Sequence, residues 1–175
     1  MPNFELRHAI GRIALGSLDA GTLLAADLPD GVRTLDLWSN GRYGSVLFWV
    51  DRELDISSFG TAVLIHHNAN RLQDGEWRST GSGSMGSYEP EQIFADLPSG
   101  LQRLGGGSQD PMRVTIGIAS NDVAAIRLRD GNGARERSLG ADGFFLLGIT
   151  HQDPITYAYA INSEGEQFPG EPLLL

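Results

Sequence analysis

Apolar residues near the start of the chain recur at roughly helical spacing. They would lie along one face of a helix, but Gly11 and Gly16 weaken that pattern. A short helix and an opening strand are therefore both compatible with residues 4–15. Residues 22–26 have the composition of a short strand and precede a turn signal at Pro29-Asp30-Gly31.

The next part of the chain has a β-like pattern. Ser39-Asn40-Gly41-Arg42 contains the Asn-Gly pair that favours a two-residue hairpin turn, and Asp74-Gly75 marks a second turn. Two of the intervening segments are apolar at consecutive positions, which is typical of strands covered on both faces. The chain therefore predicts a meander of about four antiparallel strands, over residues 32–38, 44–50, 61–66 and 76–80.

Glycine and serine then interrupt the strand pattern. Residues 81–87 predict an exposed, mobile loop. Residues 90–97 predict a helix, because Pro90 suits a first helical turn and the neighbouring acids Glu89 and Glu91 favour the positive end of the helix dipole.

Gly105-Gly106-Gly107-Ser108 has the composition of a flexible linker. It predicts a boundary between a β-meander subdomain with short helices, residues 1–104, and a second subdomain, residues 109–175. The alternative is that both parts form a single domain.

The C-terminal part has the clearest strand pattern. Apolar residues alternate with polar or small ones, which predicts strands with one buried and one solvent-facing side. Residues 135–139 form a polar segment that predicts an edge strand, and the three leucines 173–175 are expected to dock on the body or on a partner. The other strands are expected over residues 113–118, 124–129, 144–149 and 155–161.

Several short segments here follow a known pattern of turns and core positions. They are Asp122-Val123-Ala124-Ala125-Ile126-Arg127-Leu128, Asp130-Gly131-Asn132-Gly133, Gly143-Phe144-Phe145 and Ala158-Tyr159-Ala160-Ile161-Asn162 before Glu164-Gly165. Residues 112–168 thus resemble Ig-like β-sandwich modules of uncharacterised bacterial proteins, and the resemblance implies a fold without a particular activity. The predicted class is mainly β, an antiparallel β-sandwich with an Ig-like C-terminal part and one or two short helices.

Charge and composition narrow the functional classes. With 13 basic and 22 acidic residues the net charge is -9, so the average field repels nucleic acids and anionic lipids. Four arginines come closest to a basic cluster, but Asp130 and Glu136 dilute it; they are Arg127, Arg129, Arg135 and Arg137. We therefore predict no nucleic-acid partner and no membrane partner.

Two residue types are missing from the sequence. The absence of lysine excludes Schiff-base chemistry and the P-loop lysine, and the absence of cysteine excludes disulfides, thiolate metal sites and cysteine nucleophiles.

The sequence shows no basic segment followed by an apolar run at its start and no apolar stretch of about 18 residues. A cytoplasmic location is the default expectation unless a signal has been removed.

The motifs that suggest chemistry are weak. Residues 81–86 have the letters of a G-x-G-x-x-G dinucleotide motif, but hairpin-linked strands do not provide the βαβ unit that the motif needs. No G-x-S-x-G occurs, so no catalytic residue is assigned and no cofactor is predicted.

The two adjacent histidines allow two arrangements. If they lie on a strand, His66 and His67 point to opposite faces. If they lie in a turn, they could share a metal ion with Asp74 or Glu76, although no metal site is assigned.

Aromatic residues offer the remaining candidate site. Trp77 lies between Glu76 and Arg78, beside the glycine-rich segment, although packing in the core is the simpler role for any aromatic residue here. The same two roles apply to Trp38, Trp49, Tyr43, Tyr157 and Tyr159. The candidate ligand-binding residues are therefore His66, His67, Trp77 and Arg78.

Three functional hypotheses follow. The absence of a catalytic motif favours a non-enzymatic β-sandwich protein that recognises a protein or a small ligand. The alternative from another class is a hydrolase-like enzyme with a site near His66, His67 and the 81–87 segment. A third hypothesis is a self-assembling structural subunit, in which exposed strand edges pair with further copies of the chain to form a homo-oligomer.

Overall fold

The computed structural model describes residues 4–25, 28–51, 62–95 and 97–175. The chain divides into two compact units, Met1–Ala95 and Asp96–Leu175. Both units consist mainly of antiparallel strands, which confirms the predicted mainly-β class, whereas the resemblance of the C-terminal part to Ig-like modules stays a prediction. Whether the units are separate domains stays a prediction.

Unit 1 combines a helix with a four-stranded sheet, here called sheet I. Its strands follow one another in the order β1-β2-β3-β4, and every neighbouring pair is antiparallel, which confirms the predicted meander. The elements are α1 (Phe4–Ala20), β1 (Val32–Ser39), β2 (Tyr43–Asp51), β3 (Ala62–Arg71), β4 (Trp77–Tyr88) and α2 (Pro90–Ala95).

The predicted hairpin turn joins β1 to β2. The Asn40 side-chain oxygen accepts hydrogen bonds from the backbone N–H groups of Arg42 and Tyr43, at 3.0 and 2.8 Å. Gly41 has a φ of 87°, a conformation that favours glycine. Local turn chemistry therefore fixes this connection, as the sequence predicts.

The helical alternative is correct for the first segment. Buried residues of α1 recur at a spacing of four and pack on the inner side chains of β1, β2 and β3, so one apolar stripe outweighs the two glycines. The stripe consists of Leu6, Ile10, Ala14 and Leu18. The short strand predicted over residues 22–26 is wrong for residues 22–25, which form a bend and an irregular segment, and Ala26 lies outside the described residues.

Two glycine-rich segments form strands, contrary to the sequence prediction. The predicted 81–87 loop lies inside β4, where Gly81 and Gly83 pair with Asn68 and His66 of β3. The predicted linker at residues 105–108 lies inside β5 (Leu101–Gln109). Pairing with a neighbouring strand provides order that the composition of each segment does not indicate.

Unit 2 contains two sheets. Sheet II has the order β5-β6-β9, and sheet III has the order β11-β10-β7-β8. A short 3-10 turn at Ala141–Gly143 precedes β9. The strands after β5 are β6 (Met112–Ala119), β7 (Ala125–Asp130), β8 (Gly133–Ser138), β9 (Phe144–Thr150), β10 (Tyr157–Ile161) and β11 (Leu173–Leu174).

Sheets II and III pack face to face through one apolar cluster. Phe145 and Leu147 of β9 lie in one buried cluster with Ile126 and Leu128 of β7, so both sheets contribute to the core of a β-sandwich. Leu175 is also buried in this cluster. The C-terminal leucines therefore dock on unit 2, as expected.

The polar strand β8 lies at an edge of sheet III, as predicted. The guanidinium of Arg137 extends from β8 and donates a hydrogen bond of 2.7 Å to the carbonyl oxygen of Leu146 in β9. The N–H of Gly140 donates to the carbonyl oxygen of Phe144, at 2.8 Å. Two carbonyl groups of edge strand β9 are thus satisfied by the segment that precedes it.

Alternation along β10 places the aromatic residues on the outside. Ala158 and Ala160 are buried, whereas Tyr157 is exposed and Tyr159 is half-buried. The apolar alternation from Ile155 to Ile161 therefore does not mark the buried face, since only Ile161 of its members is fully buried.

No helix within the described parts of the chain is long and apolar enough to span a membrane.

Candidate functional site

The four predicted ligand-binding residues lie on opposite faces of sheet I. His67 pairs with Val46 and Trp77 packs on the cluster around α1, so both lie on the face that α1 covers. His66 pairs with Leu47 on the other face, where Arg78 lies opposite Asn70. The structure therefore places two of the four residues on each face and does not bring the four together as one group, and ligand binding by them stays a prediction.

His66 belongs to a buried polar network. Its Nδ1 lies 3.1 Å from the side-chain oxygen of Asn68, and the Ser45 hydroxyl donates to the same oxygen at 2.8 Å. Because the Asn68 oxygen can only accept hydrogen bonds, Nδ1 must be the nitrogen of the His66 ring that carries the proton. On the other side of the ring, a methyl group at Gly83 would overlap Nε2, so only glycine fits opposite His66.

His67 is buried on the helix side of the sheet. A methyl group at Gly11 of α1 would come within 3.4 Å of its Cε1, so helix and imidazole are in close contact. Its Nε2 is buried and has no hydrogen-bond partner among the described residues. Protonation of this nitrogen would place a positive charge at a buried position without a hydrogen-bond acceptor, which costs free energy.

Both histidines are held neutral by their surroundings. Burial lowers the pKa of His66, and the hydrogen bond with Asn68 offsets part of that effect. Burial also lowers the pKa of His67, and repulsion from a charged His66 lowers it further. At neutral pH both rings are therefore uncharged, buried groups.

His66 and His67 do not lie in a turn, so they do not form the metal site with Asp74 or Glu76 that a turn would have allowed. His66 and His67 both lie within β3, and Asp74 instead accepts a hydrogen bond from the backbone N–H of Glu76. Within the described ranges, no group of three or more His, Asp or Glu side chains has an arrangement suited to a metal ion.

We expect replacement of Asn68 with alanine to destabilise unit 1 by about 2–4 kcal/mol, because the Ser45 hydroxyl and His66 Nδ1 would lose their buried acceptor. Asn70 provides a matched control, since its buried Oδ1 has no partner among the described residues. Urea unfolding followed by tryptophan fluorescence measures the effect, because all three tryptophans lie in unit 1. Equal losses for Asn68→Ala and Asn70→Ala would contradict it.

A different site lies on the outer face of sheet III. Tyr157 pairs with Arg129 of β7 on one side and with Leu174 of β11 on the other, and Tyr159 pairs with Arg127. Directly paired residues share a face of the sheet. These five residues, Arg127, Arg129, Tyr157, Tyr159 and Leu174, are called the tyrosine–arginine face.

The tyrosine–arginine face exposes large apolar groups. Tyr157 is 40% exposed and Leu174 is 54% exposed, and the adjoining Ile155 is 68% exposed. The guanidinium of Arg129 lies over the Tyr159 ring, 5.5 Å from its centroid. Stacking of this kind keeps an arginine head ordered while its donors stay available.

The four arginines of the predicted basic cluster differ in their partners. Arg127 pairs with Glu136, Arg135 pairs with Asp130, and Arg137 donates to the Leu146 carbonyl. Among these four, only the side chain of Arg129 makes no ion pair or hydrogen bond with any described residue. One cation, and not a basic patch, is therefore available on this face.

Comparisons of the chain with models of protein families, with curated proteins and with solved structures found no match.

A small cleft borders the tyrosine–arginine face. It has a volume of about 220 Å³, and Tyr159 lines it together with Phe168, Pro169 and Pro172. Tyr159 therefore contributes to both the open face and the cleft, which extends the aromatic surface around the start of β11.

Sequence reasoning named these tyrosines and arginines but did not combine them. Arg127 and Arg129 alternate on β7 with the same period as Tyr157 and Tyr159 on β10, which is the available signal that the two sets share a face. The pairing of the two strands is a long-range contact, so the sequence alone does not give the register that joins Arg129 to Tyr157.

Proposed function

We propose that this chain is a binding protein that recognises a protein partner through the tyrosine–arginine face. The observation that carries the proposal is the exposure of Tyr157 and Leu174 beside Arg129, whose guanidinium has no anionic partner among the described residues. Tyrosine and arginine are enriched where protein interfaces concentrate their binding energy. Apolar groups exposed beside one another, with a cation next to them, offer a surface suited to contact with another molecule.

The partner is expected to present a carboxylate next to an apolar side chain. Arg129 would pair with the carboxylate, and Tyr157 and Leu174 would cover the apolar group. Nucleic acid fits less well, because Glu136 lies on the same face opposite Arg127, and one available guanidinium gives little affinity for a phosphate backbone.

Selection of peptides from a random library on the immobilised chain tests the proposal. We expect enriched peptides to contain Asp or Glu near apolar residues, and Arg129→Glu to weaken their binding on the order of tenfold or more. Arg7→Glu is the matched control, because Arg7 is an exposed arginine of α1 in unit 1. A failure to enrich any peptide, or equal binding to Arg129→Glu, would overturn the proposal.

Light scattering on the same proteins tests the self-assembly hypothesis. A dimer of the wild-type chain that Arg129→Glu dissociates would assign the tyrosine–arginine face to contacts between copies.

The hydrolase hypothesis has less support, because His66 and His67 lie on opposite faces of sheet I and both are buried.

A further inference from the structure

A second cleft lies at one end of sheet II, around the turn that joins β5 to β6. Its volume is about 390 Å³, and residues of β5, β6 and the end of β9 line it together with the turn. Sites for small molecules have volumes of about 300–1,000 Å³ and combine apolar walls with a few polar groups. The cleft is therefore large enough for a small organic molecule.

Part of the cleft wall is apolar. Pro111, Met112 and Ile149 line it, and Met112 is buried. Ile149 also packs against the core cluster of unit 2, so this wall is backed by the sandwich and does not depend on the turn alone. Such a wall favours a ligand with a hydrocarbon body.

Arg113 is the cation of the cleft. It lies between Ser108 and Ile149 in the register of sheet II, so the three side chains share one face. Its exposed guanidinium makes no ion pair or hydrogen bond with any described residue. A guanidinium beside an apolar wall is suited to a planar anion that accepts two parallel hydrogen bonds, and a carboxylate has that geometry.

The other polar groups limit the charge of the ligand. Asp110 lies at the rim with its carboxylate 3.5 Å from Nδ1 of His151. Thr150 also lines the cleft, but its hydroxyl and its backbone N–H both donate to Asp153. One available cation beside one rim carboxylate suits a monoanion better than a dianion, which Asp110 would repel. From this arrangement we infer that the cleft binds a small monocarboxylic acid with an apolar body.

Titration of the labelled full chain with hexanoate, followed by NMR, tests this inference. Hexanamide is the neutral probe of the same shape, and inorganic phosphate is the probe without an apolar body. We expect hexanoate to cause saturable shifts at the amides of Arg113, Thr150 and His151, while hexanamide and phosphate bind on the order of tenfold more weakly or not at all. Shifts elsewhere only, or equal affinity for hexanamide or phosphate, would overturn the inference.

Two variants locate the site. Arg113→Gln removes the cation, and Ser108→Trp keeps Arg113 but fills the cleft; each should weaken hexanoate binding on the order of tenfold or more, whereas the exposed control Arg7→Gln should not. Both changes are at exposed strand positions, and a dispersed amide spectrum checks folding. If either folded cleft variant binds hexanoate as the wild type does, the inference is wrong. If Arg113→Gln does not fold, Ser108→Trp decides.

Discussion

Replacement of Gly117 with alanine is expected to destabilise unit 2 by about 3 kcal/mol. Gly117 is buried in β6, the central strand of sheet II, and pairs with Phe145 of β9. A methyl group on Gly117 would overlap both the Phe145 ring and the backbone carbonyl oxygen of Gln102. The ring is fully buried and the carbonyl belongs to a paired strand, so neither can move without disrupting the sandwich.

Gly131 provides the matched control for Gly117. It lies in the turn between β7 and β8, and a methyl group there would have no neighbour within 4 Å. We expect Gly131→Ala to change the free energy of unfolding by less than about 0.5 kcal/mol. Urea unfolding followed by far-ultraviolet circular dichroism measures both variants, since tryptophan fluorescence reports on unit 1 alone.

A double variant separates the two overlaps. Phe145→Leu removes the ring, so it should cost less in the Gly117→Ala background than in the wild type, because the two sites interact directly. The carbonyl overlap stays in the double variant, and full recovery is not expected. Additive effects, or equal stability of Gly117→Ala and Gly131→Ala, would contradict the close packing of β5, β6 and β9.

The stability of unit 1 is expected to fall as the pH falls below 6.5. The pKa values of His66 and His67 are lowered by burial in the folded state, whereas both are near 6.5 in the unfolded chain. The unfolded chain therefore binds more protons below pH 6.5. The stabilisation is present in full above that pH and is lost as the pH falls towards the folded-state pKa values, with a limiting slope of about 1.4 kcal/mol per pH unit for each histidine.

Urea unfolding between pH 7.5 and pH 5.0, followed by tryptophan fluorescence, measures this slope. His67→Phe should flatten it, because phenylalanine keeps an aromatic ring and Nε2 of His67 has no partner to lose among the described residues. His8→Gln changes an exposed histidine of α1 and is the control. Hydrogen bonds with Ser120 and Arg135 hold the pKa values of Asp122 and Asp130 low, so these groups titrate below the tested range. Parallel profiles for wild type and His67→Phe would contradict the prediction.

Local signals predicted much of the fold. The Asn40-Gly41 turn and the apolar runs of β2 and β3 are encoded in neighbouring residues, and the structure confirms them. The glycine-rich part of β4, residues 81–87, and the whole of β5 were not predicted as strands, because glycine has low strand propensity and the reason for those glycines lies on another strand. Gly83, for example, is opposite the buried ring of His66. Such a pairing has no counterpart in the local composition.

The candidate sites were harder to predict than the fold. The alternating apolar residues of β10 suggested buried tyrosines, but the alanines between them are the buried residues, and Ala158 lies in one cluster with Phe145 and Leu147. Arg113 appears in the sequence as an ordinary strand residue. Its role in the cleft depends on Ile149 and His151, which are far away along the chain.

The hydrogen bond from Arg137 to the Leu146 carbonyl has a consequence for aggregation. Amyloid growth adds a strand to an edge whose backbone groups are free to pair. Along the outer edge of β9, the carbonyl of Leu146 is capped by Arg137 and that of Phe144 by the N–H of Gly140. An incoming strand would have to displace both donors, so fibril formation by unit 2 is expected to start from a different edge.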